Sequence, residues 1–121
     1  MTDASFDLYV ADKLRRKADN ARERGIEFNM TFQSMKNILS AKKCHYTGLP
    51  LTKPRPGLPL RGSDLTIDRV NCDVGYVKGN VVACSHAANS LKSQVEKAGV
   101  AGLKMGVKIF SKTIKRIEGK K

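Results

Sequence analysis

Every proline in the chain falls within one short stretch, and this stretch divides the regular structure into two parts. The prolines lie between Leu49 and Ser63, at positions 50, 54, 56 and 59. Proline lacks a backbone N–H and fixes its own φ angle, so regular structure does not survive at this density. The sequence therefore predicts an ordered but irregular loop here, with regular elements before and after it.

The segment before the loop is predicted to be helical. Over residues 1–25, apolar residues recur at helical spacing at Leu8, Ala11, Leu14, Ala18 and Ala21. Asp3 or Ser5 can cap this helix, and Gly25 ends it. Residues 26–28 alternate briefly and predict a short strand. Thr31 is a plausible N-cap for a second helix that frays near residues 42–43.

The segment after the loop predicts a hairpin and then two helices. Residues 65–70 predict one strand, and residues 71–75 are turn-rich. Residues 76–77 then lead through residues 78–80 to a second strand at residues 81–84. Ser85 is a good N-cap for a helix over residues 86–96. A last helix, over residues 100–118, carries one apolar stripe formed by Leu103, Val107, Phe110, Ile114 and Ile117. We expect an α+β fold in a single domain covering residues 1–121, because this length and 40% apolar residues suit one modest core.

The charge balance is strongly basic. Lys and Arg number 23 against 11 Asp and Glu, for a formal net charge of +12. Nucleic acid is the commonest partner for such a small basic protein, because Lys and Arg displace counterions from phosphates. A membrane surface or a merely solvated basic face would be the alternatives. The basic residues after residue 96 favour phosphate contact, whereas Asp12, Asp19 and Glu23 interrupt the basic N-terminal helix.

The cysteines and the N-terminus predict a reducing, cytoplasmic setting. Cys44, Cys72 and Cys84 are odd in number and form no C-x-x-C pair, so a disulfide framework is not expected. The chain has no run of 18 apolar residues and no signal-peptide pattern at its start. We expect a cytoplasmic protein, of a cell or of an agent that infects one, without membrane partners.

Two polar side chains of the hairpin segment suggest a cation site. Asp68 ends the first predicted strand, and Asn89 lies in the second turn of the helix that follows the hairpin. A hairpin packed on a helix can bring two such oxygens together around Mg²⁺, which takes few protein ligands and keeps several waters. The plainer interpretation is a strand-end carboxylate paired with Arg69 or Lys78, and an asparagine that bridges within its helix.

Residues 64–93 resemble a known family. The sequence DLTIDRVNCDVGYVKGNVVACSHAANSLKS is similar to the HNH, or ββα-metal, endonucleases, in particular the small phage and homing-type members. The segment from Cys44 to Gly48 is similar to the C-x-Y-T-G box that precedes the hairpin in the same group. The resemblance implies a ββα-metal core over residues 44–96, flanked by a helical N-terminal extension (1–43) and a basic C-terminal helix (97–121).

The resemblance also implies a role for each matching residue. Asp68 and Asn89 would be the metal ligands for Mg²⁺ or Mn²⁺, and Asn80 would brace the hairpin loop through hydrogen bonds to the backbone. Arg69 stands where many members carry the histidine general base. The expected nucleic-acid contacts, combining this resemblance with the basic C-terminal run, are Arg69, Lys78, Lys92, Lys104, Lys108, Lys112, Lys115 and Arg116.

The chain departs from the family pattern in its zinc knuckles. Many members bind structural zinc through two C-x-x-C pairs, but here the corresponding positions are Cys44 with Thr47 and Ser85 with Ala88. One thiolate out of four does not make a structural zinc site, so we expect none. Apolar packing of Cys44, Tyr46 and Leu49 would have to replace it.

The second departure concerns the general base. Arg69 cannot act as one, because its guanidinium stays protonated; it could instead hold the water or the phosphate. His86, one helical turn before Asn89, is the slightly favoured base or third metal ligand. His45 and a metal-bound hydroxide without a side-chain base are the alternatives.

These observations predict a metal-dependent DNA endonuclease that hydrolyses phosphodiester bonds, with a phage origin implied by the resemblance. A module that kept the fold, lost catalysis and binds nucleic acid or an acidic protein is the alternative. A structural component of a phage assembly is a third hypothesis. The oligomeric state stays open at this point, since a monomer would nick DNA and a symmetric dimer could cut both strands.

Overall fold

A computed structural model describes residues 3–119 of the chain. Within these residues the fold is α+β, with four helices and one two-stranded antiparallel sheet. The elements in chain order are α1 (Asp3–Glu23), α2 (Phe32–Leu39), β1 (Leu65–Arg69), β2 (Val81–Ser85), α3 (His86–Glu96) and α4 (Gly99–Glu118). The chain forms two compact units, one ending at Asn89 and one beginning at Ser90.

The two N-terminal helices begin and end close to the predicted positions. Thr31 caps α2 as expected, because its Oγ1 accepts from the Ser34 backbone N–H at 3.1 Å while the Ser34 hydroxyl accepts from the Thr31 N–H at 2.9 Å. The helix ends at Leu39 without running on toward residues 42–43. Gly25 has a φ of 66°, a value that glycine adopts without steric cost, and it turns the chain after α1.

The predicted short strand at residues 26–28 is reduced to a single bridge. Phe28 pairs in parallel with Tyr76, whose N–H donates to the main-chain oxygen of Glu27 at 2.8 Å. The pairing does not extend because the facing chain turns at once, with the Val77 N–H bonded to the Gly75 oxygen. The rings of Phe28 and Tyr76 pack with centroids 5.9 Å apart, and Tyr76 is buried, as expected for a packing residue.

One face of the hairpin closes the hydrophobic core of the first unit. The buried members of this core come from α1, α2 and both strands, namely Val10, Met35, Leu39, Leu65, Ile67 and Ala83. Leu65 and Ile67 alternate along β1, and Ala83 is directly opposite Ile67. Thr66 and Asp68 therefore lie on the other face of the hairpin, away from this core.

The proline-rich stretch is irregular, as predicted, and it is anchored at one end by Asp64. This carboxylate is fully buried and accepts hydrogen bonds from the Thr52 hydroxyl at 2.6 Å and the Arg61 N–H at 2.8 Å. The Arg61 guanidinium adds two bonds, at 2.9 and 3.1 Å. The hydrogen bonds from Thr52 and Arg61 outweigh burial and hold the pKa of Asp64 well below its usual range.

In the second unit, α4 carries its apolar residues on the surface. None of its residues is buried, and the stripe predicted from the sequence is present but exposed. Gly99, with a φ of 70°, marks the change of direction between α3 and α4. Across residues 3–119, no helix has both the length and the apolar character needed to cross a membrane.

Candidate metal and nucleic-acid site

The Asn89 side chain, from α3, lies on the same side of the hairpin as Asp68. The Asn89 side chain reaches β1, where its Nδ2 donates to Thr66 Oγ1 at 3.3 Å. Thr66 and Asp68 are two residues apart on one strand, so their side chains leave the same face. The start of α3 thus packs on the face that carries Asp68, and the two expected metal ligands are brought to one side of the sheet.

The start of α3 is fixed by hydrogen bonds to its first backbone donors. Ser85 caps the helix as predicted, because its Oγ accepts from the Ala88 N–H at 3.1 Å. The N–H groups of His86 and Ala87 donate to the main-chain oxygens of Asp64 and Gly62, at 2.8 and 2.9 Å. These bonds satisfy donors that a helix N-terminus otherwise leaves unpaired. The last residues of the irregular loop therefore determine the position of the start of α3, which carries Asn89.

Tyr46 contacts Asp68 directly, which the sequence analysis missed. Its hydroxyl donates to Asp68 Oδ2 at 2.5 Å. The sequence predicts that Tyr46 packs with Cys44 and Leu49 in place of the zinc, but Tyr46 is 39% exposed and Leu49 is 65% exposed. Only Cys44 of the three is buried. The packing prediction is therefore wrong for Tyr46 and Leu49, since polar contacts hold this turn in place.

The turn that carries Tyr46 is attached to the hairpin through its neighbours. The His45 N–H donates to the Ala83 oxygen at 2.9 Å, and Cys44 Sγ accepts from the Ser85 N–H at 3.3 Å. Burial raises the pKa of the Cys44 thiol, but hydrogen bonds from Thr47, Ser85 and Tyr46 outweigh this effect and lower it to about 7. The two residues that precede Tyr46 are thus attached to β2, and this places the Tyr46 side chain next to Asp68.

Asn80 is bonded to the hairpin loop in the way that the resemblance implies. Its Oδ1 accepts from the Asn71 N–H at 2.9 Å, and its Nδ2 donates to the main-chain oxygens of Asn71, Val74 and Gly75 at 2.9–3.2 Å. The side chain is 8% exposed. The buried side-chain amide of Asn80 therefore takes the place of backbone hydrogen-bond partners that a loop of this length lacks.

Arg69 lies on the other side of β1 from Asp68. Its Nη1 donates to the main-chain oxygens of Cys72 and Val74, at 3.0 and 3.2 Å, and its guanidinium carbon is 5.3 Å from the centroid of the Tyr76 ring. The guanidinium also lies near Lys17, whose pKa is lowered first by burial and then by the charges of Arg24 and Arg69.

The two histidines occupy different parts of the site region. His86 is the first residue of α3 and is half-buried. His45 is exposed, and its ring meets the Tyr46 ring edge-on with centroids 5.0 Å apart. A chain of contacts therefore joins His45 to Asp68 through Tyr46, and no pattern in the sequence indicates this link.

The other expected phosphate contacts are spread over the hairpin turn and the last two helices. Lys78 is exposed in the hairpin turn, and Lys92 forms an ion pair with Glu96 within α3. The five basic residues of α4 are all exposed. In α1, by contrast, Asp12 and Asp19 form ion pairs with Arg15, Arg16 and Arg22.

The donor set around Asp68 is small. In the part of the chain from residue 3 to residue 119, no group of three or more His, Cys, Asp and Glu side chains is placed to hold a metal. Asp68 and Asn89 would give a bound cation one carboxylate and one amide oxygen. That is the kind of donor set a magnesium ion accepts when it keeps most of its waters.

Comparison with known proteins finds one relative and leaves the family open. The chain is similar to a protein of Enterobacteria phage T4 described as "uncharacterized 29.0 kDa protein in dda-modA intergenic region", with 32% identity over 103 residues. The match covers 80% of this chain and 40% of the phage protein, so the chain spans less than half the length of that relative. No family model and no solved structure matches the chain.

Proposed function

We propose that the chain is a metal-dependent DNA endonuclease of the HNH, or ββα-metal, type. The observation that carries this proposal is the arrangement on one hairpin face, where Asp68 and the Thr66-bonded Asn89 lie on the same side. The loop between the strands is braced by Asn80, as the resemblance implies. The similarity to a phage protein supports the phage origin that the resemblance implies.

The residues present fit a hard divalent cation. Asp68 and Asn89 would hold Mg²⁺ or Mn²⁺, and a cation there would polarise the scissile phosphate and stabilise the leaving oxygen. Asn89 Nδ2 is bonded to Thr66, so its Oδ1 is the atom available to a cation. Tyr46 holds one oxygen of Asp68 and so orients the carboxylate.

The proton of the attacking water needs an acceptor, and two histidines are the candidates. His86 is one turn before Asn89 on α3, and His45 touches Tyr46. A neutral imidazole is the ordinary side-chain base near neutral pH. Since Arg69 donates to loop oxygens, we assign it to holding the hairpin loop beside the site.

DNA would be bound through its backbone. The net charge of +12 and the exposed lysines of α4, together with Lys78, suit contact with phosphates. Contacts of this kind position the duplex without reading its sequence. The protein would act in the cytoplasm, which for a phage-encoded enzyme is that of the host.

A binding module that lost catalysis is the second candidate, and Arg69 favours it. The family's usual base position holds an arginine whose guanidinium is bonded to Cys72 and Val74 oxygens. Such a protein would bind nucleic acid through the same basic surfaces without cutting it.

Cleavage of supercoiled plasmid separates the two candidates. Purified protein is incubated with Mg²⁺, with Mn²⁺ or with EDTA, and nicked and linear products are measured. The variants are Asp68→Asn and Asn89→Ala, with Asp73→Asn as the matched control, because Asp73 is an exposed carboxylate in the turn of the same hairpin. We expect metal-dependent cleavage by the wild type and by Asp73→Asn, and its loss in the other two.

Absence of metal-dependent cleavage by the wild type, together with retained DNA binding, would establish the binding module instead. Cleavage that survives in Asp68→Asn would show that the site assignment is wrong. Separate His45→Ala and His86→Ala variants identify which imidazole, if either, takes the proton.

A further inference from the structure

From residue 12 onward, the acidic residues of α1 lie on a different face from three of its basic residues. At about 100° per residue, the acidic residues fall within about 40° of one another, namely Asp12, Asp19 and Glu23. The basic residues that we call the basic stripe span a similar angle about 120° away, namely Lys13, Lys17 and, directly after the helix, Arg24. The Arg24 N–H still donates to the Asn20 oxygen at 3.1 Å, so the helical spacing holds there.

The basic stripe has no ion-pair partner among the side chains that the structure describes. The ion pairs of Asp12 and Asp19 are formed with the arginines that flank the acidic face, namely Arg15, Arg16 and Arg22. The other ion pairs of the described chain lie elsewhere and include no member of the stripe. The acids of α1 therefore neutralise one set of its basic residues and leave the stripe to a partner outside the chain.

The stripe is partly withdrawn from water and reaches the hairpin. Lys13 and Lys17 are both half-buried. Burial lowers the pKa of Lys17, and the charges of Arg24 and Arg69 lower it further. For Lys13, burial and two basic neighbours lower the pKa more than Asp12 raises it. Cations held together in this way cost free energy, and a bound anion relieves that cost.

The dimensions and surroundings of the stripe favour a chain of phosphates as the anion. The 11 positions from Lys13 to Arg24 extend about 16 Å along the helix axis. A DNA duplex carries one negative charge per about 1.7 Å of its axis, so it can meet the whole stripe. A lipid surface fits less well, because the apolar neighbours Val10, Leu14 and Ala21 are buried or packed against the core and cannot enter a bilayer.

We propose that the basic stripe, together with Arg69, binds the phosphate backbone of DNA as a second contact surface in addition to the basic residues of α4. The stripe and Arg69 belong to the same compact unit. Because Arg69 and Asp68 leave opposite faces of β1, this contact lies across the hairpin from the proposed metal ligands. It adds affinity without taking part in the chemistry. The inference rests on the DNA binding of the proposed function and not on cleavage.

DNA binding in EDTA, measured at a series of salt concentrations, tests the stripe separately from cleavage. Replacing Lys13, Lys17 and Arg24 together by Gln should lower the slope of log affinity against log salt by at least about 1, since one phosphate contact contributes about 0.9. The matched control replaces Arg15, Arg16 and Arg22 by Gln. It removes as many charges from the same helix, but these are already paired, so the slope should change less.

A third variant exchanges lysine and arginine at the three stripe positions. It keeps the charges and should keep the wild-type slope, whereas a loss of slope equal to that of the Gln variant would contradict a phosphate contact.

The outcomes separate this inference from the proposed function. Equal slopes for the stripe variant and the control, in a protein that cleaves plasmid, would overturn the inference and leave the nuclease intact. A stripe-dependent slope in a protein that does not cleave would support the inference and overturn the nuclease. A wild type that binds no DNA would overturn both, and stripe-dependent sedimentation with anionic vesicles would then assign the stripe to a membrane surface.

Discussion

The Tyr46 hydroxyl lies 2.5 Å from Oδ2 of Asp68, and it joins a turn before the proline-rich loop to the strand after it, 22 positions along the chain. A hydrogen bond this short to a carboxylate fixes the orientation of that carboxylate. The contact makes Tyr46 a positioning residue for the proposed metal ligand.

Replacing Tyr46 by Phe should therefore weaken metal use without unfolding the protein. Loss of a hydrogen-bond partner of a ligand typically costs 10- to 100-fold, in order of magnitude, in metal affinity or activity. The measurement is plasmid nicking as a function of Mg²⁺ concentration, with Tyr9→Phe as the control that removes a phenol hydroxyl from α1. An unchanged magnesium dependence in Tyr46→Phe would show that Asp68 needs no such support.

Gly75 tolerates no side chain, whereas Gly62 does. A Cβ on Gly75 would lie 2.3 Å from the main-chain oxygen of Glu27, which accepts a hydrogen bond from the Tyr76 N–H. A Cβ on Gly62 would lie 3.5 Å from the Cβ of Ala87, which is an ordinary van der Waals contact. We expect Gly75→Ala to lower the free energy of unfolding by about 2 kcal/mol or more, and Gly62→Ala by less than about 1 kcal/mol. Urea unfolding of both variants measures the difference, and equal midpoints would contradict this account.

Cys44 should make the stability of the protein depend on pH above neutrality. The folded-state pKa is lowered to about 7, whereas the thiol of the unfolded chain ionises at its ordinary value, about 8.5. Between these values the unfolded state binds more protons, so the free energy of unfolding rises with pH, by about 2 kcal/mol in all. Below the folded-state pKa both states are protonated and the contribution is absent.

Urea unfolding under reducing conditions at a series of pH values measures this rise. Cys44→Ala should lose it, and Cys72→Ala should keep it, because Cys72 is an exposed thiol in the hairpin turn. Parallel pH curves for the wild type and Cys44→Ala would show that the thiol stays protonated.

The exposed basic residues of α4 should dominate the salt dependence of DNA binding. Replacing Lys112, Lys115 and Arg116 together by Gln should reduce the slope of log affinity against log salt by roughly 2–3, since each phosphate contact contributes about 0.9. The control replaces Arg15, Arg16 and Arg22, which are already paired with Asp12 and Asp19, and should change the slope less. Equal slopes for the wild type, the α4 variant and the α1 control would show that the basic residues of α4 are solvated and do not contact phosphates.

The sequence predicted helices and irregular segments well where the residues that begin a helix, or that exclude regular structure, act on near neighbours in the chain. Thr31 and Ser85 begin helices through bonds to residues three positions on, and the proline density excludes regular structure without reference to the rest of the chain. The orientation of Arg69 was also available from the sequence. The alternation of Leu65 and Ile67 places Arg69 on their face and Asp68 on the opposite one.

Long-range polar contacts could not be predicted in this way. The burial of Asp64 depends on Thr52 and Arg61, which an irregular loop brings to it. The contact between Tyr46 and Asp68 depends on the bond between His45 and Ala83, so it exists only once the turn has docked on β2. The sequence around Asp64 does not distinguish it from an ordinary surface carboxylate. The sequence around Tyr46 does not distinguish it from a tyrosine that packs in the core.

The five residues of β1 leave no room for an insertion or a deletion. Leu65 and Ile67 fill the core while Thr66 and Asp68 build the opposite face, and a shift of one residue would exchange the two sets. It would bury a carboxylate among aliphatic side chains and place an isoleucine on the face that carries the proposed metal ligands. Insertions and deletions should therefore be tolerated in the loops on either side rather than in β1, since the irregular stretch before Asp64 can absorb a change of length.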